Sequence, residues 1–96
     1  MNQNTILRNL KEARQELEFL ITDMEKSPEY SFENFHLSMA HLYHHLNCAW
    51  NARNVTASKW RNQTNADYEQ WQRFPSDLPL IGDDDFYDLP EYGDNE

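Results

Sequence analysis

The sequence predicts an all-α fold, and its composition, its apolar periodicity and its helix-boundary residues each favour that class. The chain of 96 residues contains only two glycines and four prolines, which disfavours a turn-rich β-sandwich or barrel. Apolar residues recur in alternating steps of four and three along two segments, as in helices that pack on other helices. We therefore expect a helical hairpin, a third helical segment and a flexible acidic C-terminal tail.

The first predicted helix covers the N-terminal quarter of the chain. It ends at Ser27-Pro28, because proline disfavours a helical conformation in the residue before it. Leu7 and Ile21 widen its apolar stripe on one side. The stripe itself consists of Ile6, Leu10, Ala13, Leu17, Leu20 and Met24.

The second predicted helix begins after Ser31, whose hydroxyl is suited to an N-cap. Tyr43 and Trp50 broaden the apolar side of this helix. Its regular pattern weakens over residues 51–56, where asparagine and threonine are poorer helix formers. The stripe of this helix consists of Phe35, Met39, Leu42, Leu46 and Ala49.

A third helical segment is predicted to start near Ser58 or Thr64 and to stop at Pro75. Thr64 and Asp67 have the spacing of a capping box, with aspartate in place of the usual glutamate. Whether this segment continues the second helix through a bend or forms a separate helix stays open. Its apolar side consists of Tyr68, Trp71 and Phe74.

The two stripes are wider than a lone hairpin can bury. Either the third segment folds back over the hairpin, or two chains pair into a dimeric helical bundle. We expect a homodimer, since twofold assemblies are the commonest oligomers. The predicted seam consists of Leu10, Leu17, Leu20, Met24, Phe35, Met39, Leu42 and Leu46.

A histidine cluster lies on the second predicted helix. Imidazole and thiolate are preferred ligands of zinc and similar metals, so spacings of four predict a possible Zn or Ni site. The same helical wheel puts this cluster nearly opposite the apolar stripe, which favours exposure to solvent; a second contact face is the other alternative. The cluster consists of His41, His44, His45 and Cys48.

Bases and aromatic rings alternate over residues 50–74, where four basic residues accompany two acidic ones. Such a mixture occurs in proteins that bind single-stranded nucleic acid. The net charge of the chain is −9, however, and phosphate binding is dominated by positive charge. A nucleic-acid-associated regulator is therefore only our third functional hypothesis.

The acidic tail is predicted over residues 75–96, after a helical domain over residues 1–74. The tail carries −8 of the net charge and contains no lysine or arginine, which is typical of solvated segments. A solubilising tail, a strap docked on the body and a partner-binding motif are the alternatives. The apolar anchors of such a motif would be Phe86, Tyr87, Leu89 and Tyr92.

No catalytic signature occurs in the sequence, and the chain is short for most multi-layer enzymes. The longest purely apolar run has three residues, and the N-terminus lacks the features of a signal peptide. One cysteine excludes an internal disulfide and suits a reducing cytosol. We therefore expect a cytoplasmic, non-catalytic interaction or adaptor protein that dimerises and binds an unknown partner protein, with a small metal-binding protein as the alternative.

Overall fold

The structure, a computed structural model, describes residues 1–88 and contains five helices in that range. They are α1 (Gln3–Lys26), α2 (Phe32–Asn51), α3 (Ala57–Arg61), α4 (Asn65–Trp71) and α5 (Asp83–Tyr87). No strand occurs within these 88 residues, which confirms the all-α prediction. The chain turns out of helical conformation after Asn51, so the second and third predicted segments are separate helices.

Local side-chain chemistry sets three of the helix boundaries. The Ser31 hydroxyl accepts a hydrogen bond from the Asn34 backbone N–H at 3.1 Å, as an N-cap does. Thr64 and Asp67 form the predicted capping box, in which each side chain accepts from the other residue's backbone N–H. The last residue of α1 is Lys26, two positions before proline. These boundaries depend on neighbouring residues, which explains why the sequence predicts them.

Helices α1 and α2 form the antiparallel hairpin, but α1 does not present the centre of its apolar stripe to α2. At about 100° per residue, the side of α1 that is buried is rotated by about 50° from the centre of the stripe. Polar residues on that side form hydrogen bonds with α2, and these contacts accompany the rotation. The buried residues of α1 are Thr5, Asn9, Ala13 and Leu20.

The predicted seam residues consequently divide into three groups. Leu20 and Leu42 are buried inside the hairpin of a single chain, and Phe35 and Met39 are half-buried. The other four remain 39–48% exposed, because α2 covers only one side of the stripe. These four are Leu10, Leu17, Met24 and Leu46.

Helices α3 and α4 fold back over α2, on the side of the hairpin that carries the cysteine. Trp71 of α4 packs on Cys48 and Ala52, and all three are buried. The Trp60 and Trp71 rings stack with their centroids 5.2 Å apart. The third segment therefore covers α2 on the side of Cys48 and His44 and leaves Leu46 of the apolar stripe exposed.

Two asparagines of α2 hold the end of α4 in place. The Asn51 side-chain amide donates to the backbone carbonyls of Trp71 and Arg73, at 2.8 and 2.7 Å. The Asn47 amide donates to the carbonyl of Gln72 at 2.8 Å. Helix C-termini leave carbonyls without intrahelical donors, so these bonds stabilise α4 where it ends.

The first residues of the predicted tail lie on the body. Asp77 accepts hydrogen bonds from the Trp50 indole N–H at 2.8 Å and from the Arg53 guanidinium at 3.4 Å. The Arg53 guanidinium also lies 4.1 Å from the centroid of the Trp50 ring. Beyond this contact, α5 begins with three aspartates (residues 83–85), and negative charge stabilises a helix N-terminus.

We expect the Asp77→Ala variant to release the segment that follows it. The indole N–H of Trp50, followed by the charge of Arg53, keeps the pKa of Asp77 below its usual value, so the carboxylate is ionised at neutral pH. Limited proteolysis should therefore cut residues 78–81 faster in this variant, while the melting temperature stays unchanged because the contact is exposed. Asp88→Ala is the matched control. Equal cleavage rates in the two variants would show that Asp77 does not hold the segment.

Candidate interaction face and histidine pair

An apolar groove of about 710 Å³ lies between α1, α2 and the segment that follows α4. Ile6 and Leu10 line it from α1, and Tyr43 and Leu46 line it from α2. Residues 74–80 close its third side with Phe74, Pro75, Leu78 and Leu80. Two of these side chains, Leu10 and Leu46, belong to the predicted seam, and both are open to solvent within one chain.

The exposed row of α1 extends this groove along the helix. Leu17 is 43% exposed, Ile21 is 49% exposed and Met24 is 48% exposed. At about 100° per residue they occupy the same side of α1 as Leu10. We use the name open face for the exposed side chains that α1 and α2 contribute to this groove and to this row. They are Leu10, Leu17, Ile21, Met24, Tyr43 and Leu46.

Two histidines of α2 form hydrogen bonds with the polar residues of α1. The His41 Nδ1 atom lies 2.7 Å from Oε1 of Glu16, and the His45 Nδ1 atom lies 3.0 Å from Oδ1 of Asn9. Their Nε2 atoms face each other at 3.1 Å. Asn9 in turn donates its amide N–H to the carbonyl of Thr5 at 3.0 Å, which keeps its oxygen directed at the histidine. We call His41 and His45 the histidine pair.

The hydrogen-bond partners of the histidine pair determine where its protons lie. Glu16 and the Asn9 oxygen only accept, so both Nδ1 atoms carry a proton. If both rings were neutral, the two Nε2 lone pairs would then face each other. A proton or another cation between the two Nε2 atoms removes that conflict. The pair therefore has a place for one cation between its two rings.

His45 is the more enclosed member of the pair. Burial, followed by the charges of His44 and His41, lowers its pKa from the usual histidine value, while Glu12 and Glu16 act in the opposite direction. The His44 Nδ1 atom lies 2.9 Å from the Gln72 side-chain oxygen of the segment after α4. Each of the three histidines thus contacts an oxygen acceptor on another part of the chain.

The lowered pKa of His45 predicts that acid destabilises the fold. The unfolded chain binds a proton near pH 6.5, before the folded chain does, so the stability present above that pH is lost as the pH falls through the folded-state pKa. Urea denaturation between neutral and mildly acidic pH should show this decline. The decline should be smaller in His45→Asn than in His36→Ala, which keeps the pair. Equal slopes in both variants would contradict the assignment.

Cys48 differs from the histidines in its surroundings. Its side chain is 3% exposed, and burial raises the pKa of its thiol to about 11. The expectation that solvent covers this side of α2 is therefore wrong for Cys48, because α4 packs over it, and it holds for the exposed His41. No three histidine, cysteine, aspartate or glutamate side chains within residues 1–88 are placed to hold one metal ion. The four-residue metal site stays a prediction.

Two of the four basic residues in the segment 50–74 have acidic partners within the chain. Arg53 binds Asp77, as described above, and the Lys59 ammonium lies 2.9 Å from the Asp67 carboxylate. Trp60 and Trp71 stack on each other inside the fold and do not form a row of exposed rings. These contacts remove much of the pattern that suggested nucleic-acid binding, although binding itself stays untested.

Of the four apolar side chains predicted as anchors of a partner-binding motif in the tail, the structure describes two. Phe86 is half-buried and Tyr87 is 62% exposed, and their rings meet edge to face with centroids 5.2 Å apart. Leu89 and Tyr92 lie outside the described residues. Partner binding through this motif stays a prediction.

Comparison with known proteins found no relative of the chain. No protein-family model, curated protein or solved structure matches the chain. Among residues 1–88, no helix has both the length and the apolar character needed to cross a bilayer. Any functional conclusion therefore depends on the open face and on the histidine pair.

Proposed function

We propose that the protein is a non-catalytic interaction protein that forms a homodimer through the open face. The supporting observation is that Leu10, Leu17 and Met24 remain 42–48% exposed after the hairpin has formed. They recur every seven residues, which is the spacing by which one helix packs along another. A row of this kind is stabilised when a second helix covers it.

A second copy of the chain is the occupant that these residues fit. It presents the same row, and a twofold axis places each row against its equivalent, which is how isologous dimers are built. Residues 1–74 carry a net charge of only −1, so two helical bodies do not repel each other strongly. Apart from Asp77, the acidic residues of the tail lie at or after position 83, beyond the residues that line the groove, and can remain outside such an interface.

The exposed area of the chain leaves room for such an interface. The accessible surface is 7770 Å², whereas a folded monomer of 11.5 kDa is expected to expose about 5800 Å². The extended residues after α4 contribute to this excess. A standard interface buries only about 800 Å² per partner, so the excess is large enough to include one.

The chemistry of Cys48, the one cysteine of the chain, supports a non-catalytic role. Cys48 is a buried thiol with a raised pKa, whereas a nucleophilic cysteine needs an accessible thiolate and a neighbouring base. A single cysteine kept as a thiol also suits a reducing compartment such as the cytoplasm. These properties of Cys48 fit a protein that acts by binding through its surfaces.

Sedimentation equilibrium on the tag-free chain tests the proposal. The wild type should sediment as a dimer in the micromolar range, with twice the chain mass of 11.5 kDa. Leu17→Asp places a charge in the interface and should sediment as a folded monomer, since position 17 is already half-exposed within one chain. Phe19→Asp is the matched control, because Phe19 is 57% exposed on the opposite side of α1.

Three outcomes would overturn the homodimer. They are a wild type that stays monomeric throughout that range, a Leu17→Asp variant that still dimerises, and a Phe19→Asp variant that dissociates equally. Circular dichroism of each variant separates dissociation from unfolding.

A further inference from the structure

The geometry of the histidine pair is that of a partial metal site. The Nε2 atoms of His41 and His45 lie 3.1 Å apart. Tetrahedral zinc holds its nitrogen ligands at about 2.0–2.1 Å, which places two of them about 3.3 Å apart. A separation of 3.1 Å therefore needs to widen by only about 0.2 Å to admit a zinc ion, which small side-chain rotations supply.

The groups behind the two rings are those that orient metal-binding imidazoles. Metal-bound histidines usually donate the other ring N–H to a carboxylate or a carbonyl oxygen, which fixes the tautomer. Here the Glu16 carboxylate does so for His41, and the Asn9 amide oxygen does so for His45. Thr5 fixes Asn9 through its carbonyl. These hydrogen bonds orient both rings, whose Nε2 atoms lie 3.1 Å apart.

Charge and access favour a cation at this point. The Glu16 carboxylate lies 2.7 Å from Nδ1 of His41, so a negative charge stands directly behind the pair. The His41 side chain is 52% exposed. An ion held by the two nitrogens can therefore keep water as its remaining ligands, as open zinc sites do.

We propose that the Nε2 atoms of His41 and His45 bind one divalent cation that prefers imidazole, of the Zn²⁺ class, with water completing its coordination. The ion takes the place of the proton that the two rings share, and that proton is released to solvent. Cys48 is not a ligand, because its thiol is buried beneath Trp71. The site is independent of the homodimer, since both ligands belong to one chain.

Titration calorimetry with ZnCl₂ on the tag-free chain tests the site, with Mg²⁺ present to occupy the carboxylates of the tail. One Zn²⁺ should bind per chain. His41→Ala and His45→Ala should each weaken binding at least about tenfold, because each removes one of only two protein ligands. His36→Ala is the matched control, on the same helix and outside the pair, and Cys48→Ala tests the thiol; both should bind as the wild type does.

Ring nitrogen resonances identify the ligands directly. Zn²⁺ should shift the Nε2 signals of His41 and His45 and leave those of His36 unchanged. The proposal is overturned if no Zn²⁺ binds above the Mg²⁺ background, so that the pair holds a proton only. It is equally overturned if binding survives His41→Ala, which is exposed and should fold, or is lost in Cys48→Ala.

Discussion

Replacing Trp71 with alanine is expected to lower the free energy of unfolding by about 3–5 kcal/mol, the usual cost of removing a large buried aromatic side chain. Trp71 is 7% exposed and joins α4 to Cys48 and Ala52 of the α2 side, while its ring stacks on Trp60. Without it, the hydrogen bonds that hold the end of α4 are exposed to water. The free energy of unfolding of a small domain is about 5–15 kcal/mol in total, so the variant should lose a large part of its stability.

Urea denaturation followed by circular dichroism measures this effect. Tyr68→Ala is the matched control, because Tyr68 lies on the same helix, packs its ring on His44 outside the buried cluster and is 47% exposed. It should cost about 1 kcal/mol or less. Similar losses in both variants would show that α4 is not held by Trp71.

Replacing Leu20 with aspartate is expected to unfold the monomer. Leu20 and Leu17 belong to the same apolar stripe of α1, but the same substitution at position 17 should leave the chain folded. Leu20 is 5% exposed between α1 and α2, so the variant loses a buried apolar side chain and also buries a carboxylate without a partner. We expect a loss of about 4 kcal/mol or more, which is near the upper end for single substitutions.

Comparing the aspartate variants at positions 20 and 17 distinguishes the buried side of the α1 stripe from its exposed side. Helix content by circular dichroism should collapse in Leu20→Asp and persist in Leu17→Asp, at equal concentration. If both variants unfold, dimerisation and folding of this chain are a single process, and the open face is part of its core. If both stay folded, the packing of α1 on α2 differs from that described.

The features that the sequence predicts well are those fixed by neighbouring residues. Ser31, the Thr64–Asp67 box and Ser27-Pro28 each act over three or four positions, and each forms or ends a helix where expected. The helical class follows from the same local periodicity. The break after Asn51 also lies in the stretch of poor helix formers, although the sequence alone did not separate a bend from an interruption.

The packing of α1 on α2 could not be predicted from one stripe, because it depends on pairs of distant residues. Asn9 and Glu16 look like ordinary surface residues until His45 and His41 are placed opposite them. Likewise, Cys48 is buried only because α4 folds back over it. The histidine spacing of four did predict that two rings converge, but the acceptors behind them come from another helix.

Asn2 performs two tasks at the start of α1. Its side-chain oxygen accepts from the Thr5 backbone N–H at 3.2 Å, and its side-chain amide donates to the carbonyl of Val55 at 2.8 Å. Its backbone N–H donates to the carbonyl of Arg53 at 2.6 Å. The first turn of α1 therefore cannot fray without also releasing the turn that follows α2. Amide hydrogens at these two places, fifty residues apart in the chain, should exchange with deuterium in one cooperative opening event.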